Sequence, residues 1–301
     1  MAATKLALKV DVDTLVGLRE GVPNLLDLFR KFGIQASFFV AFGPDNSGKA
    51  IRRVLKKGFL WKMWRTNALR TYGFKTLLYG TLLPSPLIGE GLPVLIREIA
   101  AEGHEVGIHG YDHVKWHDRL DALSIPEIEG EIQKSIAAYK EILGRKPLSS
   151  AAPGWRCNLK SLAVQDKYGF LYCSDTRGRR PFIPRIGKQI FRALQIPTTL
   201  PTMDEALGLG GVTAKNFNAH LLTQLVEDRL NIYTLHAEME GMSRKGLFED
   251  FLERSRKIGI EYVRLWDEAE ALLRGERGII PIDDIYQRPI MGRVGMVGYQ
   301  G

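Results

Sequence analysis

The chain has 301 residues, enough for one substantial core but only for two rather small ones, so a single domain is expected. Its 45% hydrophobic and 25% charged residues exclude a disordered or low-complexity chain, and two cysteines, Cys157 and Cys173, exclude a disulfide framework and favour a reducing, cytosolic setting. The net charge of +8 belongs to one stretch, because residues 46–89 hold nine basic side chains and no acidic one, which leaves the rest of the chain at −1.

The N-terminal MAATKLALKV lacks the apolar run and cleavage site of an export signal, so no export is expected. No stretch approaches the roughly 18–20 apolar residues that cross a bilayer, so the protein is expected to be soluble or to lie on a membrane surface. Strand signals follow at 5–12, 35–42, 105–109, 171–174, 194–198, 231–236 and 261–265. Helical patterns lie between most of them, at 22–32, 92–102, 126–143, 158–168, 216–230 and 247–258. Alternating strand and helix predicts an α/β fold with a parallel sheet, and about seven such units favour a distorted (β/α) barrel, closed or nearly so.

In such a barrel chemistry sits where strands end. The first strand ends Val10-Asp11-Val12-Asp13, and alternate strand residues point to one side, so both carboxylates can face one pocket, where a cation would offset their repulsion. An isolated D-x-D is also met where the second aspartate merely caps a turn. The third strand ends His109-Gly110-Tyr111-Asp112-His113, and two histidines four apart on a helical turn project to one side. With Asp13 they form a two-histidine, one-carboxylate face that leaves positions open for water and substrate. His236 ends another strand, Tyr233-Thr234-Leu235-His236, where a packed core histidine is the plainer alternative to a catalytic one.

The ordered motifs VDVDT (10–14), HGYDH (109–113), APGWR (152–156), CSD (173–175) and TLHAE (234–238) resemble those of the polysaccharide deacetylases of the NodB-homology type, carbohydrate esterase family 4, over most of the chain. REGVPNLL (19–26), GPDN (43–46), FLWKMWR (59–65), HEVGIH (104–109) and TLHAEMEG (234–241) further resemble a branch that deformylates an undecaprenyl phosphate-linked formamido-arabinose in lipid A modification and polymyxin resistance. The resemblance implies one divalent ion, zinc, cobalt or manganese, on Asp13, His109 and His113. It implies Asp11 as general base, His236 as the acid that protonates the leaving nitrogen, Asp175 as the group that keeps His236 charged, and an oxyanion-binding backbone N–H near the third motif. The family's third motif usually opens with an arginine that orients the base. Here Ala151 stands at that position, and Arg156 is the candidate replacement, or else a surface arginine packing its stem beside Trp155.

The domain plan that follows is a catalytic domain over 1–282, with 46–89 as an insertion inside it, and a loosely packed extension over 283–301. Within the insertion, Arg52, Arg53, Lys56 and Lys57 fall on one side of a helical wheel and Ile51, Val54, Leu55 and Phe59 on the other, followed by Trp61 and Trp64. A solvated arm would not need those aromatics, whereas Trp favours the headgroup layer and clustered Lys and Arg are drawn to anionic lipid. These residues are therefore expected to dock on the cytoplasmic face of the bacterial inner membrane, beside a polyprenyl phosphate-linked amino-sugar substrate. No nucleic-acid recognition motif accompanies them, and no nucleic acid is expected as partner. A deacetylase of peptidoglycan or chitin-like chains on the same chemistry remains the alternative.

Overall fold

The structure, a computed structural model, describes residues 4–50 and 75–301. Among these, eight parallel strands form the main sheet: β1 (Lys5–Val12), β2 (Ser37–Val40), β3 (Glu105–Ile108), β4 (Ser149–Ser150), β5 (Tyr172–Cys173), β8 (Leu194–Gln195), β9 (Leu230–His236) and β10 (Glu261–Val263). β9 runs along one side of β1, while β10 and β2 share the other, pairing with its first and second halves. β3, β4, β5 and β8 follow β2 in order, and just past β8 the Leu200 N–H donates to the Ile232 carbonyl of β9 at 3.1 Å, drawing the sheet into a nearly closed barrel.

The alternation of β1 divides the core. Leu6, Leu8, Val10 and Val12 face outward and pack with the helices, including Leu25, Leu26 and Phe29 of Val22–Phe32 and Phe248 and Phe251 of Lys245–Lys257. Each such side chain contributes roughly 1.5–3 kcal/mol by leaving water. The other face of β1 lines the barrel interior, where Ala7 packs with Phe39, Ala151, Tyr172, Leu194 and Ile232. Above Ala7 that face carries Lys9 and Asp11, both buried. Helices have legible ends: Ile125–Leu143 starts at a capping box of Ser124 and Glu127 and stops at Gly144, whose φ of 69° few side-chain-bearing residues would adopt.

A second sheet of four strands, in the order β12-β11-β6-β7, joins β6 (Ile183–Ile186) and β7 (Gln189–Ile190) to β11 (Ile282–Pro289) and β12 (Met296–Gln300). The C-terminal stretch is thus not the loose extension expected from its sequence. Val297 and Gln300 are buried, the Gln300 N–H donates to the Arg177 carbonyl at 2.9 Å, and the anticipated boundary after residue 282 falls inside β11. The helix expected over 216–230 spans only Phe217–Leu222, because Asn231 bonds through its side chain to both the N–H and carbonyl of Val226 and Asp228 adopts a left-handed φ of 57°.

Candidate metal and catalytic site

Asp13 follows β1 on the interior side. Its turn is shaped from β9's end by buried Glu238, whose Oε1 accepts from the N–H of Asp13 and from the N–H and hydroxyl of Thr14 at 2.7–3.1 Å. Burial, and then the charge of Asp13, push Glu238 up to about 8. β3 delivers His109 as the residue after its end. Gly110, with φ of 70°, then redirects the chain so that Asp112 caps the helix His113–Arg119 by accepting from the Lys115 N–H at 2.9 Å. The two histidines therefore do not share a helical turn, as their spacing suggested; a strand end and a helix start are brought together by a glycine turn.

His109 Nε2 lies 3.3 Å from Asp13 Oδ1, and His113 Nε2 lies 3.4 Å from Asp13 Oδ2. These separations exceed the roughly 2.7–2.9 Å of a charge-assisted hydrogen bond, and Asp13 Oδ1 is buried without a hydrogen-bond partner. One donor atom from each of the three residues lies within 4.8 Å of the others, as in a set arranged about one cation. His109 Nδ1 stands 2.9 Å from the Ala151 carbonyl, which only accepts, so the ring proton sits on Nδ1 and the Nε2 lone pair is turned into the site. Burial opposes charge on Asp13, but His113, His109 and His236 together hold its carboxyl well below the usual range. Two imidazoles and a carboxylate suit zinc, cobalt or manganese.

Asp11 lies next to this set, its Oδ2 3.8 Å from His109 Nε2. That oxygen accepts from the buried Lys9 ammonium at 2.7 Å, while Oδ1 is buried with no partner. His236, at the end of β9, is paired in register with Asp11. Burial lowers its pKa, yet Asp204, Asp13, Asp11 and Glu240 outweigh that and raise it above the ordinary imidazole value. Glu240 also accepts from the His236 backbone N–H at 2.9 Å and from the Tyr233 hydroxyl at 2.7 Å.

Two expected roles are redirected. Asp175 is buried, but its carboxylate accepts from the Gln195 amide at 3.0 Å and does not bond His236, on which Asp204 bears most among the acids. Asp204 stands in a four-residue helix, Met203–Ala206, that left no periodic signal in the sequence. Arg156 does not reach Asp11 either: it donates to the Met296 carbonyl at 2.8 Å and to the Asp121 carboxylate, tying the C-terminal strands to the third motif. The cation paired with Asp11 is Lys9, which sequence reasoning passed over although Lys9, Asp11 and Asp13 stand at the two-residue spacing of one strand face. The docking residues Arg52, Arg53, Lys56, Lys57, Phe59, Trp61 and Trp64 lie outside the described residues. The base of their insertion is fixed beside the site, since Asn46 donates through its side chain to the Asp112 carboxylate at 2.7 Å.

The sequence signature described as polysaccharide deacetylase matches residues 3–173, more than half of the chain. The chain belongs to the polysaccharide deacetylase family. Among its relatives in that family, a protein of Shewanella sediminis (strain HAW-EB3) named "Probable 4-deoxy-4-formamido-L-arabinose-phosphoundecaprenol deformylase ArnD" is 40% identical over 99% of this chain and 95% of its own length. A protein of the same name from Wigglesworthia glossinidia brevipalpis is 37% identical over 95% and 98%. The fold is shared with a solved structure described as "Crystal structure of putative polysaccharide deacetylase from Mycobacterium smegmatis", at a TM-score of 0.63 and 18% identity over 97% of this chain and 96% of that one.

Proposed function

We propose that this chain is a metal-dependent deformylase that hydrolyses the formamide of undecaprenyl phosphate-linked 4-deoxy-4-formamido-L-arabinose, releasing formate and the 4-amino sugar used in lipid A modification and resistance to polymyxin. The observation that carries the chemistry is the convergence of Asp13, His109 and His113 within 4.8 Å beside a separate carboxylate, Asp11. The substrate is supported by the names of the two whole-length relatives.

Bound to Asp13, His109 and His113, a divalent ion would supply Lewis acidity that polarises the formyl oxygen and acidifies water. Asp11 takes a proton from the attacking water as its oxygen bonds to the formyl carbon. His236 gives a proton to the sugar nitrogen as the C–N bond breaks, which an amine needs in order to leave. Its raised pKa suits that task, because the ring keeps its proton to higher pH than a free imidazole. The neighbouring insertion, rich in Lys, Arg and Trp, would bring the site to a membrane-borne substrate as a peripheral protein. No helix among the described residues is long and apolar enough to cross a membrane.

The test incubates metal-loaded protein with formamido-arabinose phosphoundecaprenol and, separately, with N-acetylglucosamine oligomers, and measures formate and acetate. Formate from the lipid-linked sugar alone is expected. Acetate from the oligomers without formate from the lipid would replace this function with that of an N-deacetylase.

A further inference from the structure

Lys9 is a charged side chain with no exposed surface, placed at the middle of the central strand. Burying an ammonium costs several kcal/mol unless its surroundings replace water. Its surroundings are specific. The Nζ donates to Asp11 Oδ2 at 2.7 Å and lies 5.4 Å from the Phe39 ring centre and 5.7 Å from that of Trp155, within cation–π range of both. Trp155 is itself held in a left-handed conformation, φ of 53°, with its indole N–H donating to the Thr198 hydroxyl at 3.0 Å. The third motif thus contributes an aromatic wall for the ammonium at the loop where Ala151 provides no charge.

From this arrangement we infer that Lys9 is the positioning residue of the general base, supplying from β1 itself the cation that neither Ala151 nor Arg156 brings to Asp11. The ammonium occupies Oδ2 and leaves Oδ1 as the oxygen free to accept a proton. It also keeps the carboxylate from turning to become a further ligand of the neighbouring set, 3.8 Å away at His109 Nε2. The inference rests on the assignment of Asp11 as base, and it predicts that Lys9 matters only through Asp11.

A double-mutant cycle reads that coupling. Lys9→Met keeps length and packing while removing the charge. It is expected to bind one equivalent of metal as wild type does, to lower kcat about 100-fold, the scale of general-base catalysis, and to leave KM within about threefold. In Asp11→Asn protein the same substitution should change kcat by less than about threefold. A Lys9→Met enzyme with undiminished kcat, or a double variant slower than Asp11→Asn by the full factor, would overturn the inference. Stability supplies a readout that needs no substrate. Lys9→Met leaves Asp11 buried and unpaired, so Lys9→Met/Asp11→Asn should be the more stable of the two, even if the single variant does not fold. A double variant as unstable as Lys9→Met would mean that the fold, not Asp11, requires the ammonium. Wild-type protein inactive on formamido and acetamido sugars alike would instead remove the proposed function, and the stability cycle would still decide the pairing.

Discussion

Asp204 bears more strongly than any other acid on His236, and its removal has a definite sign. Taking a negative charge from beside an imidazolium lowers the imidazole's pKa. If His236 must be protonated to release the amine, Asp204→Asn should move the high-pH limb of the kcat profile to lower pH, leaving metal content unchanged. A limb that stays in place would detach Asp204 from the acid. The residues of the proposed metal set were legible in the sequence only in conjunction, because the Asp11–Asp13 spacing at one strand end and the His109–His113 pair after another are each weak signals alone. Lys9 was not, since lysine ordinarily reads as surface and only the barrel's curvature turns this face of β1 inward. Asp204 carried no signal at all, standing in four helical residues beyond a two-residue strand.

At the scale of the element, β1 and the helix Val22–Phe32 match their sequence patterns residue for residue, since each carries a full alternation or several turns of apolar spacing. β4, two residues long, was missed, because Ser149 and Ser150 offer no apolar alternation and pair only because their neighbours in the sheet demand it. The start of β3 is locked to β2 through His104, a buried ring whose Nδ1 accepts from the Ala36 N–H at 3.0 Å between Phe29 and Phe38. Burial first, and also the charges of Arg264 and Arg30, lower its pKa to about 4 against the pull of Glu102. The unfolded chain therefore takes up this proton first as pH falls. The stabilisation is complete above about pH 6.5 and is lost on the way down to about pH 4, by on the order of 3 kcal/mol. Denaturant unfolding of His104→Gln beside wild type should show a large stability gap at pH 7.5 that narrows at pH 4.5. An equal gap at both pH values would assign the loss to packing alone.

For the molecule as a whole, the barrel was legible from alternation, but its second sheet was not, because β11 is a largely exposed strand and its partner β6 lies about a hundred residues earlier. The division of charge has a consequence at the same scale. The arm between residues 46 and 89 holds all the excess positive charge and is anchored, through Asn46, to the loop that carries the two histidines. If it docks on lipid, each Lys or Arg near an anionic surface contributes on the order of 1 kcal/mol. Replacing Arg52, Arg53, Lys56 and Lys57 by Gln should weaken binding to anionic liposomes and remove most of its salt dependence. Trp61→Ala with Trp64→Ala should weaken binding at every salt concentration. Turnover of a short, water-soluble formamido sugar should survive both changes. Liposome binding unchanged in both variants would mean that the arm is not the membrane anchor.

The central claim is one catalytic divalent ion on Asp13, His109 and His113, with Asp11 beside it as base. It is tested most directly by adding zinc, cobalt or manganese to chelator-stripped protein while metal bound and formate released are measured together. Turnover should rise to a plateau at one equivalent; His109→Ala and His113→Ala should neither bind the ion nor turn over, and Asp11→Asn should bind one equivalent while keeping only a small residual turnover, lower by about 100-fold or more. Full turnover by the stripped protein, or a full equivalent held by His109→Ala and His113→Ala, would contradict the account.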